Sequence, residues 1–375
     1  MSNSYIPTKI KTKLWILSGG RCEYDGCNKP LWRDELSLVD MNAAYIAHIV
    51  ADDPNGPRGD VEWSPKLRKE FSNLMLLCDV HHRIIDITQV TEHPVDRLQK
   101  MKTAHESRIE LLTSVQPNRK SEILLFGADI GAHTSPLTYL GAAEAMLPDY
   151  YPASQYPIEL GMHNVSIKDD ETNYWKIQED NLRRLFDGKV TARLQAKTLE
   201  DISVFALAPQ PLLMLLGVLL GDITKSQVYQ LHREPKGWKW ADHPEDFAFK
   251  VARPEKYDGT PALIFSLSAN ITRDRIDEVL GSDCRVWSVS VDVPNNDFLR
   301  SKEQLAEFRN VMRGVLNEIK LRHGQNTLLH VFPAMAVSTA VEFGRILMPK
   351  ADMPIRVYDQ SRLHSRFVPA LDLIK

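Results

Sequence analysis

Thiol and imidazole side chains at metal-ligand spacing carry the most specific chemistry in this chain. Cys22-Glu23-Tyr24-Asp25-Gly26-Cys27 places two thiols across a short turn, and Cys78-Asp79-Val80-His81 pairs a thiol with an imidazole. A structural zinc takes four tetrahedral N/S ligands, usually from two such short segments. Cys22, Cys27, Cys78 and His81 are therefore read as one structural Zn²⁺ set, although a lone free cysteine is usually just a small buried hydrophobe. Cys284, isolated in an apolar run, is read as core. With His81 given to the metal, the adjacent His82 is left for a different task.

The elements around these residues divide the chain. Residues 9–17 read as a short helix ended by Gly19-Gly20, and 53–59 are dense in turn formers. Pro94 opens a helix whose apolar stripe runs through Leu98, Met101, His105, Ile109 and Leu112. Val115 to Lys120 is polar and patternless. From 121 the pattern becomes strand–helix alternation, with strands at 123–126, 202–207, 262–267, 286–291, 327–332 and 355–358. Helices are expected at 212–220, 301–322 and 337–347, with an Ala-rich stretch at 137–147. The expected organisation is an α+β N-terminal domain over 1–114, a connecting segment over 115–154, and an α/β domain with largely parallel strands over 155–375. A strand–proline–helix pattern at 202–220 recurs at 327–347, which implies two related halves.

Composition narrows the class. A chain of 375 residues with 43% hydrophobic and 25% charged content fits a globular protein of two or three domains. Three of four cysteines cluster with histidines, which favours metal binding in a reducing cytoplasm over a disulfide framework. No signal peptide is visible, and the most apolar run, 212–220, is about half the ~20 residues that span a bilayer. A cytoplasmic location with no membrane partner is expected. The net charge of −3 argues against a constitutive, tight nucleic-acid binder. Residues 1–120 hold 17 Lys+Arg against 16 Asp+Glu, and the rest 29 against 33. So few phosphate contacts give a modest, salt-sensitive affinity that several copies would have to combine.

Ala47-His48-Ile49, the loop Asn55-Gly56-Pro57-Arg58-Gly59, Asn73-Leu74-Met75-Leu76-Leu77-Cys78 and His81-His82-Arg83-Ile84-Ile85-Asp86 together resemble the zinc-stapled HNH endonucleases over about residues 15–113. The resemblance implies a ββα-metal fold, with His48 as general base, His82 holding a catalytic Mg²⁺, and Asn73 fixing the hairpin or reaching the metal. Phosphodiester hydrolysis needs a deprotonated water and a cation on the developing charge, and an imidazole with a reference pKa of about 6.5 is a suitable base. Ala47 departs from the pattern, since many members place an acidic metal ligand there. Asp86 follows His82 by four and would share its helical face, so it is the candidate Mg²⁺ ligand; pairing with Arg83 is the alternative. Arg58 would touch a DNA phosphate or remain a solvated loop arginine. Nothing here could read bases in a groove, so cleavage of little sequence specificity is expected.

In the second domain, Tyr229, His232, Arg233, Trp238 and Trp240 crowd one stretch, suited to stacking a nucleobase or to packing a hairpin. Val204-Phe205-Ala206-Leu207-Ala208-Pro209-Gln210-Pro211-Leu212-Leu213, Leu216-Gly217, Gly221-Asp222, His330 to Val337 and Val341-Glu342-Phe343-Gly344-Arg345 resemble the SAVED domain over about 155–375. That family has two fused CARF-like, Rossmann-like halves and senses cyclic oligonucleotides. HNH followed by SAVED looks like the nuclease effectors of CBASS anti-phage immunity. By that resemblance, a cyclic dinucleotide such as a cGAMP isomer would activate the protein, drive dimers into higher homo-oligomers, and release degradation of double-stranded DNA. Ligands of parallel sheets sit beyond the carboxyl ends of strands. Gln210, Ser268, Asn270, Pro333 and Met335 are therefore the expected ligand-binding residues, with Arg233 and Trp238 beside them. Two other readings stay open: a non-catalytic zinc regulator that binds nucleic acid, and a modification-dependent restriction nuclease of the HNH type.

Overall fold

Leu74-Met75-Leu76-Leu77-Cys78 is buried at every position, and it forms one strand of a two-stranded sheet in the N-terminal unit. A computed structural model describes residues 5–128, 137–161, 171, 173–222, 225–361 and 365–374. They fall into two compact units, Met1–Gln116 and Pro117–Lys375.

In the first unit, helix α1 (Thr8–Leu17) stops where Gly19 and Gly20 take φ of +61° and +65°, a conformation that suits glycine. Strand β1 (Ala44–His48) pairs antiparallel with β2 (Leu74–Cys78), setting Ala44 opposite Cys78 and His48 opposite Leu74. Helix α2 (Trp63–Leu67) lies in the connection between them. Helix α3 (Asp79–Arg83) starts on the residue after β2 and widens into a π turn at Ile84–Thr88. Two antiparallel strands followed at once by a helix is thus the local plan. Helix α4 (Val95–Thr113) opens directly after Pro94 and buries Leu98, Met101, Lys102 and His105. Leu112, expected on the same stripe, is exposed, because the small core of Cys22, Leu31, Ile49, β2, Leu98 and Met101 ends before the helix does.

The second unit begins with β3 (Lys120–Gly127), α5 (Tyr139–Met146), β4 (Tyr151–Pro152), β5 (Ile158–Glu159), α6 (Tyr174–Phe186), α7 (Ala192–Gln195), β6 (Asp201–Leu207), α8 (Gln210–Leu220) and β7 (Lys225–Val228). β3 sits inside a parallel sheet ordered β4-β3-β6-β7, with β5 also on β3. The 115–154 stretch is therefore no connecting segment. Six consecutive buried residues in β3 need sheet neighbours on both edges and cover on both faces.

The chain continues through β8 (His232–Arg233), β9 (Lys236–Gly237), β10 (Lys250–Ala252), β11 (Pro261–Ser266), α9 (Arg273–Leu280), β12 (Arg285–Ser290), α10 (Lys302–His323), β13 (Leu329–Ala334), α11 (Val337–Ile346), β14 (Ile355–Gln360) and β15 (Phe367–Ile374). A second sheet runs β10-β12-β11-β13-β14-β15, parallel in the middle and antiparallel at each edge. The alternation read from the sequence is present in both sheets.

The two strand–turn–helix pieces, β6–α8 and β13–α11, meet through their helices. A Cβ on Gly217 would lie 2.0 Å from the Val341 carbonyl oxygen, and one on Gly344 would lie 1.9 Å from that of Met214. Only bare backbone fits at this crossing. Among the described residues, no helix is long and apolar enough to cross a membrane.

Candidate functional site

The first site is the thiol–imidazole cluster. One donor atom each from Cys22, Cys27, Cys78 and His81 lies within 4.8 Å of every other. The Cys78 sulfur is 3.2 Å, and the Cys22 sulfur 3.6 Å, from His81 Nδ1. Tetrahedral zinc with bonds of ~2.3 Å sets sulfurs about 3.8 Å apart, so the set can close on a metal with small shifts. Burial raises the Cys22 thiol far above its usual range and lowers His81 below the usual imidazole range. A buried thiol of that kind ionises only when a cation compensates it.

Backbone and ring contacts hold the set together. Glu23 mimics a strand neighbour of β2: its N–H donates to Leu76 O at 3.0 Å, and its carboxylate accepts from Leu76 N at 2.5 Å. Burial pushes the Glu23 carboxyl up to about 7. The His81 ring lies flat on Tyr24, with centroids 4.1 Å apart and planes within 7°. The Tyr24 hydroxyl meets His93 Nε2 at 3.0 Å, and His93 Nδ1 donates to Gln89 O at 2.8 Å. Tyr24 and His93 were not singled out from sequence, because only the folded turn brings them to the cluster.

The second site is a cleft of about 460 Å³, lined by Tyr45, His48, Asp52, Asp53, His82 and Asp86 among others. His48 ends β1 and is buried. Its Nε2 lies 3.0 Å from Arg68 O, so that nitrogen carries the proton and Nδ1 is left as an acceptor. Asn73 is also buried and does not line the cleft. Its Oδ1 accepts from Val50 N at 2.7 Å, while Nδ2 donates to Val50 O at 2.8 Å and Leu67 O at 3.3 Å. These bonds tie down the backbone just beyond His48 and just before Arg68, the two sides of the imidazole. Of the two roles expected for Asn73, the geometry matches fixing the hairpin, with no reach toward a cation.

His82 faces the cleft from α3. Its ring stacks on Tyr45 at 5.1 Å and 20°, and Nε2 is 3.3 Å from Asp86 Oδ2. The i, i+4 spacing of His82 and Asp86 does bring them together, but Asp86 pairs with Arg58 at 2.6 Å, not with Arg83, which pairs with Asp79. Arg58 corrects another expectation. Its side chain is 6% exposed, with donors spent on Ile49 O, Ile85 O, His48 O and Asp86, so it has no face to offer a DNA phosphate. Asp52 and Asp53 also line the cleft. Neither was singled out from sequence, where Asp53 belonged only to the turn-rich 53–59 stretch.

In the second unit, the expected ligand residues separate by burial. Gln210 bridges the two halves: Oε1 accepts from Met335 N at 3.1 Å and Nε2 donates to Met335 O at 3.4 Å. Ser268 is half-buried and donates its N–H to Ala334 O, while Asn270 is exposed. Gln210 and Ser268 thus each meet backbone at the end of β13. Pro333 and Met335 have buried side chains, the latter inside the main core, so only the Met335 backbone faces a partner. Trp238 is a core residue packed edge-on against Phe205 at 5.2 Å, as its burial by Ile123, Leu125 and Tyr229 requires. Arg233 is exposed, and its N–H donates to Asp297.

Two sheets, one parallel and one mixed, joined through facing strand–turn–helix pieces, make up the α/β unit. The chain belongs to the SAVED family, the SMODS-associated and fused to various effectors sensor domain, which matches residues 182–373. Among solved structures, the Acinetobacter baumannii Cap4 SAVED/CARF-domain containing receptor with the cyclic trinucleotide 2'3'3'-cAAA aligns with TM-score 0.45 and 10% identity, covering 75% of this chain and 55% of that one. The same receptor with 3'3'3'-cAAA gives TM-score 0.45 and 10% identity, covering 84% and 60%. The Moraxella osloensis Cap4 receptor gives 0.42 and 8%, covering 78% and 64%. This chain thus spans less than two thirds of each. No curated protein matches the sequence. Family membership rests on the sequence match over 182–373.

Proposed function

We propose that this chain is a ligand-controlled endonuclease, with an HNH-type N-terminal unit that hydrolyses double-stranded DNA and a SAVED unit that takes a cyclic oligonucleotide. It would act as an effector of CBASS anti-phage defence. The observation that carries the reading is the cleft, where His48, its Nε2 taken up by Arg68 O, lies with His82 and several carboxylates, next to a separate thiol–imidazole set. A protein that merely bound nucleic acid would have no use for an acidic cleft, since phosphate and carboxylate repel.

His48 would take the proton from the attacking water, with Arg68 O stabilising the resulting imidazolium through Nε2. His82 with Asp52 and Asp53 would hold Mg²⁺, whose hard character suits carboxylate oxygens. That cation supplies charge stabilisation at the phosphate and the leaving oxygen. Asn73 keeps His48 in register, and Zn²⁺ on Cys22, Cys27, Cys78 and His81 would brace the base of α3. The carboxylates Asp52 and Asp53 in the cleft support the catalytic reading over a non-catalytic regulator.

For the sensor unit, the polar groups at the ends of β11 and β13 fit a cyclic dinucleotide, and the Cap4 relatives, described with cyclic trinucleotides, add those to the candidates. Ligand-driven assembly would combine the small basic patches of several copies on one duplex. The test incubates the full chain with plasmid, Mg²⁺ and a panel of cyclic di- and trinucleotides, beside His48→Ala. Cleavage appearing with one ligand and lost in His48→Ala is expected. Cleavage indifferent to every ligand would refute the control by the sensor, and DNA binding without cleavage would favour the regulator.

A further inference from the structure

Asp86 shares the cleft with His82 and, by spacing alone, looks like one more cation ligand. Its contacts give it another task. Oδ1 accepts from Arg58 Nη2 at 2.6 Å, and Oδ2 lies 3.3 Å from His82 Nε2. The second contact is ion-pair reach without hydrogen-bond alignment, and a carboxylate beside Nε2 favours the neutral tautomer that keeps its proton there. The other ring nitrogen, Nδ1, then holds the lone pair. The Tyr45 ring stacked at 5.1 Å fixes the plane in which that lone pair points.

Arg58 makes the arrangement rigid. Its guanidinium reaches back to His48 O and Ile49 O at the end of β1, and forward to Ile85 O and Asp86 on the turn after α3. The loop is shaped to aim it inward: Arg58 has φ +58°, and a Cβ on Gly59 would lie 2.3 Å from Pro54 O. With a side chain only 6% exposed, Arg58 has Asp86 as its sole ion-pair partner among the described residues. Drawing Asp86 away to a cation would strand a buried charge, the costliest way to break such a pair.

We propose that Arg58 and Asp86 are positioning residues: Asp86 holds His82 in the Nε2–H form with Nδ1 turned to the cleft, and Arg58 holds Asp86. Metal-binding histidines commonly donate their second nitrogen to a carboxylate in this way. The role of Nδ1 as a cation ligand rests on the nuclease reading; the Arg58–Asp86–His82 contacts do not.

The test has two arms on the full chain. With ¹⁵N-labelled histidine at about pH 8, where histidines are ordinarily neutral, His82 should show a protonated Nε2 whose proton is protected from solvent. Asp86→Leu should lose that protection. An Nδ1–H form in the parent chain, or an unchanged signal in Asp86→Leu, would overturn the proposal. The second arm titrates Mn²⁺ against Arg58→Met, with zinc content as the check on folding. A positioning role predicts Mn²⁺ affinity reduced by roughly 10–100-fold. A direct Asp86 ligand predicts the opposite sign, because removing the neighbouring cation would strengthen it, and tighter Mn²⁺ binding would overturn the proposal. If the parent chain binds no Mn²⁺, the nuclease reading fails, while the ¹⁵N arm still decides the network.

Discussion

Gly344→Ala should be among the most damaging single-methyl additions this chain can suffer. The new Cβ would stand 1.9 Å from Met214 O and 2.9 Å from Gly217 Cα, whereas real Cβ atoms essentially never approach closer than 3.0 Å. Both obstacles are backbone, and α8 is buried from Pro211 to Gly217, so no flexible side chain can yield. The helices would have to part by roughly 1 Å, opening the core between the sheets at a cost near or above the usual ~1–3 kcal/mol of overpacking. Better helix propensity returns at most about 1 kcal/mol. A net loss of about 2 kcal/mol or more is expected. For a unit of this size, at ~2–4 °C per kcal/mol, that lowers its thermal midpoint by roughly 4–8 °C. Gly314→Ala is the matched control, because nothing lies within 4 Å of its Cβ position in α10. It should stabilise by about 0.5–1 kcal/mol. Differential scanning calorimetry of the two variants decides the matter. Gly344→Ala melting within a degree of the parent would refute the claim that backbone contact sets this crossing.

Stripping metal with a strong chelator, or changing Cys78→Ser, should release bound zinc and abolish hydrogen-exchange protection in β1, β2 and α3, while β11 and β13 keep theirs; retained zinc in Cys78→Ser would refute the ligand set. Arg313→Ala should cost about 3 kcal/mol by chemical denaturation, since it leaves Asp352, with 3% side-chain exposure, without its two-pronged partner at 2.6 and 2.9 Å. A loss under ~1 kcal/mol would show that the distant Lys320 suffices. Burial lowers the folded-state pKa of His232, His323 and His330 below the ordinary value of about 6.5. The unfolded chain therefore takes up protons first as pH falls, so this contribution is whole above about pH 6.5 and drains away below it. The urea midpoint of the second unit should drop between pH 7 and 5, and a flat or rising profile would contradict it.

Local spacing made some of this legible beforehand. The four metal-site residues come from two short segments, so their grouping follows from the sequence, and the same holds for β6–α8 and β13–α11, whose apolar runs are long and end at prolines or small residues. Arg58 was not legible. A loop arginine beside Gly-Pro is usually solvated, and only the fold shows the guanidinium buried among four oxygens. Trp238 failed in the opposite direction, since an aromatic among polar residues looks like a binding surface until Phe205 closes over it. Asp53 stood only within the turn-rich 53–59 loop and Asp52 was not singled out, because no periodicity links them to His82; the cleft alone does.

His81 and His82 are neighbours on α3, about 100° apart around the axis. One lies against Tyr24 and the thiols, the other against Tyr45 and the cleft. A single turn of backbone therefore carries both the staple and the working face. Damage to either reaches the other at once: a lost metal, an oxidised thiol or an inserted residue would turn His82 away together with His81. On the proposed reading, such a unit would lose its staple and its working face together. For a protein whose proposed target is DNA, that is a built-in safeguard against uncontrolled partial activity.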